Sequence, residues 1–276
     1  MTDSPLRREL FDRGYVVIPN VIPRDLCARV VDDIWRHTGA SPHDPTTWYG
    51  PTIPPIGIVE MWHYQSMWDI RQHPALHRVF AEIHGTEKLW VSIDRVGAKP
   101  PATESVPGYQ HRGFIHWDCK IINYPDIPFR VQSVLALEDT TKDMGGFQCV
   151  PEIYADLPVF LTTQTPEQLR ESAPDFDHEI TRVPLNAGDL VVWHRLMPHG
   201  NGHNTSDRMR LCQYVTMNPA DPEDVAELEE RVDGWLRNRS GSWARGDPRG
   251  IEERREEPAQ LTELGRRLLG LETWEA

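Results

Sequence analysis

Two imidazoles and one carboxylate carry the chemistry that this sequence offers. His116 and Asp118, in Gly113-Phe114-Ile115-His116-Trp117-Asp118, stand two residues apart. In an extended chain successive side chains alternate, so both face one way and Trp117 the other. An imidazole and a carboxylate placed like this can reach a single divalent metal. A third ligand must come from a distant segment, and His199 in Met197-Pro198-His199-Gly200-Asn201 is the candidate. Two histidines and one carboxylate on one face of an octahedron leave positions open for substrate, cosubstrate and O2, the arrangement of non-haem Fe(II) oxygenases. Spacing alone also allows a plainer reading, a His–Asp hydrogen bond beside a turn. The surrounding elements have to decide between the two.

The chain of 276 residues is 39% apolar and 26% charged, which describes a folded protein with enough material for one large domain. A net charge of −13 makes nucleic acid and anionic membrane surfaces poor partners. Cys27, Cys119, Cys149 and Cys212 are scattered without a CxxC pair, so free thiols in a reducing compartment are expected. No apolar segment follows the polar N-terminal stretch and no run approaches membrane-spanning length. The expectation is a cytoplasmic protein acting on a small molecule.

Along the chain, a short helix over 5–12 leads to a strand in Gly14 to Pro19, closed by the proline, then to a helix whose Leu26, Val30, Val31, Ile34 and Trp35 form an apolar stripe. Residues 38–55, rich in Pro, Gly, Ser and Asp, read as a long loop of the kind that forms lids. A second amphipathic helix spans Pro74 to His84, and Lys88 to Arg95 reads as a strand followed by a Pro-rich loop to Tyr109. Further strands are expected at the H-x-D segment, Arg130 to Leu137, Gly146 to Pro151, Leu190 to Trp193 and Arg208 to Met217. In the last, Arg208, Arg210, Cys212, Tyr214 and Thr216 share one face. Pro166 to Glu171 suits a short helix. A helix capped by Asp221 with Pro222 at its first turn, and another over Leu261 to Leu269, close the chain. The predicted fold is mainly β with helical flanks: a jelly-roll, cupin-like double-stranded β-helix over about 88–218, N-terminal helices and lid over 1–87, and a helical extension over 219–276.

Several motifs in order give the chain a resemblance to the phytanoyl-CoA dioxygenase family of Fe(II)/2-oxoglutarate oxygenases. They are G-Y-V-V-I-P at 14–19, H-W-D at 116–118, A-L-E-D with G-G-F-Q-C-V-P at 136–151, A-G-D-L-V-V-W at 187–193, H-G-N-G-H-N-T-S at 199–206, and Arg210. The resemblance implies His116, Asp118 and His199 as iron ligands. It also implies that Arg210, eleven residues after His199, pairs with the distal carboxylate of 2-oxoglutarate. A guanidinium suits that task because its planar donor pair matches a carboxylate. Arg208, on the same face, is the rival. The implied reaction is oxidation of a substrate C–H bond with O2, releasing succinate and CO2. Relatives that halogenate replace the carboxylate ligand with a small residue, so Asp118 points to oxygen insertion or a related oxidation. The family's P-G-S-H is replaced here by Pro151-Glu152-Ile153-Tyr154.

Other candidates rest on residue type and position. Ser206 and Gln132 are candidate cosubstrate contacts, with Thr205 and Asn201 as further polar neighbours. Trp62, Tyr64, Gln65, Arg112, Gln132 and Trp193 are candidate substrate contacts, each with plain packing as the alternative. His194 and His203 are expected to be supporting or structural, because the Gly-rich segment between 199 and 206 does not favour a helix that would bring His199 and His203 onto one metal.

Overall fold

The computed structural model describes residues 4–274. Local chemistry sets the N-terminal helices. α1 (Pro5–Arg13) begins where the Ser4 hydroxyl accepts the Arg7 amide, with proline at its first position. β1 (Tyr15–Ile18) leads to α2 (Arg24–Thr38), which buries Cys27, Val30, Val31 and Ile34. β2 (Ile58–Val59), α3 (Gln65–Arg71) and α4 (Pro74–His84) follow, then the short strands β3 (Leu89–Val91) and β4 (Val96–Lys99). The central part holds β5 (Val131–Ala136), β6 (Phe147–Cys149), α5 (Pro151–Ala155), α6 (Leu157–Leu161), α7 (Pro166–Glu171) and β7 (Thr181–Arg182). β8 (Leu190–His194), β9 (His199–Asn201), β10 (Arg210–Tyr214), β11 (Met217–Pro219), α8 (Val225–Leu236) and α9 (Glu263–Leu269) complete the order.

The strands form antiparallel sheets. One has six strands in the order β1-β8-β5-β10-β4-β2; another has three, β7-β6-β9; β11 and β3 pair separately. Alternation gives the six-stranded sheet two apolar faces. Leu135, Leu190, Val192 and Leu211 belong to the main core with Val30 and Ile34 of α2 and Phe80 of α4. Val134, Ala136, Val191, Trp193 and Cys212 pack instead with Phe147 and Cys149 of the three-stranded sheet. The result is a sandwich of two sheets, with helices on the outer face of the larger one.

Four expectations need correction. The loop predicted after residue 95 contains β4, which pairs with both β10 and β2. Gly97 there looks like a loop residue, but a Cβ at that position would lie 2.7 Å from Cys212 Sγ, so the glycine allows the two strands to pack. The H-x-D segment is not a regular strand; a single bridge, His116 to His199, ties it to β9. Asp221 does not cap α8. Its carboxylate accepts from the Glu223 amide, and Asp224 caps the helix through Glu227. Finally, the strand expected to run to Pro151 ends at Cys149, and Pro151-Glu152-Ile153-Tyr154 opens α5, where proline suits the first turn.

The C-terminal extension is tied down by buried polar groups. The Glu252 carboxylate accepts from the Trp62 and His63 amides at 2.7 and 2.6 Å. Fully buried Arg71 on α3 donates to the Trp62 and Asp94 carbonyls, both at 2.6 Å. Arg231 on α8 donates to the carbonyls of Val91, Leu268 and Leu269. All four cysteines are free and buried. Among the described residues, no helix is long and apolar enough to cross a membrane.

Burial lowers the pKa of His37 to about 4, His63 to about 3 and His194 to about 4. In the unfolded chain these rings titrate near ~6.5. Their contribution is therefore intact above that pH and is lost as pH falls from about 6.5 towards 4. Burial pushes Glu252 the other way, up to about 7, so its contribution is greatest in acid and declines as pH rises towards that value. Three imidazoles outweigh one carboxyl. Thermal unfolding should show stability falling between pH 6.5 and 5, at a rate on the order of 2 kcal/mol per pH unit.

Candidate metal centre

His116, Asp118 and His199 meet. Their candidate ligand atoms all lie within 4.8 Å of one another. The two histidines are joined by reciprocal backbone hydrogen bonds, His116 N–H to His199 O at 2.8 Å and the reverse at 3.0 Å. That close approach depends on Gly200, where a Cβ would lie 2.0 Å from the Phe114 carbonyl oxygen. Trp117 turns away into a separate apolar cluster with Val150 and Phe160, as alternation requires.

The ring orientations favour a cation. His116 Nδ1 lies 3.0 Å from the His199 carbonyl oxygen, and His199 Nδ1 lies 2.9 Å from that of Met197. A carbonyl only accepts, so each Nδ1 carries the proton and each neutral ring presents the Nε2 lone pair. Those Nε2 atoms face the Asp118 carboxylate at 2.8 and 3.4 Å. Lone pairs set against a carboxylate repel unless a proton or a metal lies between them. The other carboxylate oxygen, Asp118 Oδ2, accepts from Gln132 Nε2 at 2.6 Å. The donor set therefore fits a divalent metal.

A cavity of about 510 Å³ opens at this cluster, lined by the three residues together with Gln132, Phe147, Trp193, Asn201 and Tyr214. Ile56, Ile58, Val131 and Val215 form apolar walls, while Ser92, Asp94, Thr216 and Asn218 form a polar end. Arg210, Thr140 and Gly146 line a narrow crevice with no room for a water molecule, which shares Val134 and Phe147 with the cavity.

Arg210 is 3% exposed and hydrogen-bonds Tyr214. Its cross-strand partner is Lys99, 2% exposed, so two cations lie side by side on one sheet face. Lys99 Nζ donates to the Gly202 carbonyl at 2.8 Å and meets His111 Nδ1 at 3.1 Å. Burial, then the adjacent guanidinium, lowers the Lys99 pKa to about 7. Among the described residues, neither cation forms an ion pair with a carboxylate. Buried cations without a counter-charge mark a place for an anion. Arg208 is exposed at the strand end. Sequence reasoning missed Lys99, because its significance depends on β4 pairing with β10.

The other candidates divide. Gln132 and Trp193 line the cavity, and Asn201 Nδ2 donates to the Tyr214 hydroxyl at 3.4 Å. Ser206 is not at the cavity; its hydroxyl donates to Asn204 Oδ1 and caps the Arg208 amide in a turn. Trp62, Tyr64 and Gln65 are also absent from its lining. The Trp62 amide is taken by Glu252, the Tyr64 hydroxyl meets His37 Nδ1, and Gln65 bonds the backbone of Gln260. Arg112 lines a different open cleft, with Gln110, His203 and Thr205. His194 packs among Phe11, Phe129 and Tyr154.

The sheet sandwich thus gathers two imidazoles and a carboxylate at one cavity, a set that could hold one metal ion, and buries a cation pair on neighbouring strands. The chain belongs to the phytanoyl-CoA dioxygenase family, whose model matches residues 11–212. A Dictyostelium discoideum protein that carries the phytanoyl-CoA dioxygenase name is 23% identical over 274 residues, covering 81% of this chain and 78% of that protein. Among solved structures, GlcNAc Inducible Gene 2 of Candida albicans matches with a TM-score of 0.73 and 15% identity, over 98% of this chain and 76% of that one. SnoN, a non-heme alpha ketoglutarate dependent epimerase from nogalamycin biosynthesis, matches with a TM-score of 0.57 and 19% identity, over 93% and 94% of the two chains. Another SnoN structure holds Fe3+, alpha ketoglutarate and nogalamycin RO.

Because no side chain can stand at position 200, Gly200→Ala should disrupt the centre while leaving every ligand in place. Calorimetric titration with Co(II) should show affinity reduced at least about tenfold, as for loss of a supporting contact, with circular dichroism reporting whether the sheets remain.

Proposed function

We propose that this chain is an Fe(II)- and 2-oxoglutarate-dependent dioxygenase that hydroxylates an unactivated C–H bond of a small organic molecule, with succinate and CO2 as coproducts. The observation that carries this reading is the His–Asp–His cluster beside a buried cation pair with no carboxylate partner. The sandwich then corresponds to the double-stranded β-helix expected from the sequence.

His116, Asp118 and His199 would hold the iron. With 2-oxoglutarate and O2, bound iron supplies an oxidant strong enough to take hydrogen from such a bond. The chain does the positioning. Arg210 and Lys99 would receive the distal carboxylate of 2-oxoglutarate, with Tyr214 orienting the guanidinium. Ile56, Ile58, Val131 and Val215 would place an apolar part of the substrate and exclude water. Asp118 occupies the position that halogenating relatives leave without a carboxylate, which supports oxygen chemistry.

The same hydrogen removal can lead to desaturation, cyclisation or epimerisation, and the likeness to the SnoN epimerase supports keeping these as alternative outcomes. A metal-binding protein without oxygenase activity would have no use for the Lys99–Arg210 pair.

Anaerobic addition of Fe(II) and then 2-oxoglutarate to the apo protein should produce a visible charge-transfer band. His116→Ala should abolish it, and Arg210→Ala should weaken 2-oxoglutarate binding by about 1.5–3 kcal/mol, the range for a hydrogen bond to a charged group. An unchanged band in both variants would overturn the reading.

Lys99 adds a pH dependence. With its pKa at about 7 in the free protein, it binds a carboxylate best when protonated. Affinity for 2-oxoglutarate should therefore be highest below pH 7 and fall above it by up to about tenfold per pH unit. Lys99→Arg should flatten that profile.

A further inference from the structure

Asp118 is the least anchored member of the metal cluster. It lies beyond the one bridge that ties its segment to β9, and its side chain is 49% exposed, against 31% for His116 and 6% for His199. The chain on either side is held, Trp117 by Ser172 and Leu196 and Cys119 by Ser172, but these contacts leave the Asp118 side chain free to turn. What holds it is Gln132, whose Nε2 donates to Asp118 Oδ2 at 2.6 Å. Gln132 sits on β5, where its backbone pairs with Trp193 of β8, and the same strand is held by β10 from Val134 onward.

An amide can flip end for end, and a flipped Gln132 would turn a carbonyl oxygen onto the carboxylate. Trp193 prevents this. It stands directly opposite Gln132 across the β5–β8 pair, and its Nε1–H donates to Gln132 Oε1 at 3.1 Å. Indole is a donor only, so the amide oxygen faces Trp193 and the amide nitrogen faces Asp118. The Trp193 ring is also 4.8 Å from the His199 imidazole and stacks on Phe147 at 4.6 Å. One side chain thus packs on one candidate ligand and, through Gln132, orients another.

We propose that the Trp193–Gln132 pair is a positioning relay that holds the Asp118 carboxylate in its metal-binding orientation and couples it to His199. The proposal rests on the reading of His116, Asp118 and His199 as the metal ligands. Neither Gln132 nor Trp193 is assigned a bond to the metal; both act through Asp118. Supporting contacts of this kind typically contribute about 10–100-fold to metal affinity.

The test is anaerobic Fe(II) titration of the apo protein, followed by the visible spectrum after 2-oxoglutarate is added, for wild type, Gln132→Leu and Trp193→Phe. Gln132→Leu keeps the bulk and removes the donor. Trp193→Phe keeps an aromatic ring beside His199 and removes only the indole N–H. Gln132→Leu should raise the Fe(II) dissociation constant about 10–100-fold and shift or broaden the charge-transfer band. Trp193→Phe should change both in the same direction by a smaller factor. The double variant should be no worse than Gln132→Leu alone, because the indole acts through the amide. If wild type binds no Fe(II), the ligand reading itself fails. If wild type binds and folded Trp193→Phe matches it in affinity and spectrum, the relay is overturned, even should Gln132→Leu fail to fold. Circular dichroism and Tm separate these outcomes from a general loss of structure.

Discussion

The centre depends on the reciprocal hydrogen bonds between the backbones of His116 and His199. The segment bearing His116 and Asp118 has no regular strand structure of its own and makes one bridge to β9. That bridge sets one imidazole beside the other, and the two Nδ1–carbonyl contacts then turn both free nitrogens towards a single carboxylate. Gly200 makes the bridge possible by bringing no side chain. Hydrogen-bonding geometry thus builds the cluster, and metal coordination would complete it.

Around this arrangement the two sheets have different tasks. β9 carries His199, while β10 and β4 of the larger sheet carry Arg210 and Lys99. Two adjacent buried cations are unfavourable without an anion, and a bound carboxylate would relieve that repulsion. The larger sheet that carries them is packed on both faces, and the repulsion shows in the Lys99 pKa, which burial and the neighbouring guanidinium lower.

What the sequence disclosed follows from how far each signal reaches. Clean alternation from Arg208 to Met217 located β10 but set Arg208 and Arg210 on one face; they separate only because the strand begins at Arg210 and leaves Arg208 exposed before it. Proline and glycine bounded α4 for local reasons and placed it well. The misses arose where distant partners decide the outcome. β4 was hidden because Gly97 and Pro100 resemble loop residues, and only Cys212 across the strand explains the glycine. Trp62, Tyr64 and Gln65 looked like a binding surface because no local pattern reveals that Glu252, His37 and Gln260 engage them. Ser206 was placed near the site by sequence proximity to His199, but the turn through Asn204 directs its hydroxyl elsewhere.

The polar end of the cavity is braced from outside the centre. Asp94 lies at its polar end, its carbonyl gripped by Arg71, which also grips the Trp62 carbonyl, and the Trp62 amide in turn hangs on Glu252. Glu252 lies beyond residues 11–212, the range that the family model matches. A short run of hydrogen-bonded links therefore joins the C-terminal stretch to the polar end of the cavity, and none of its links touches His116, Asp118 or His199.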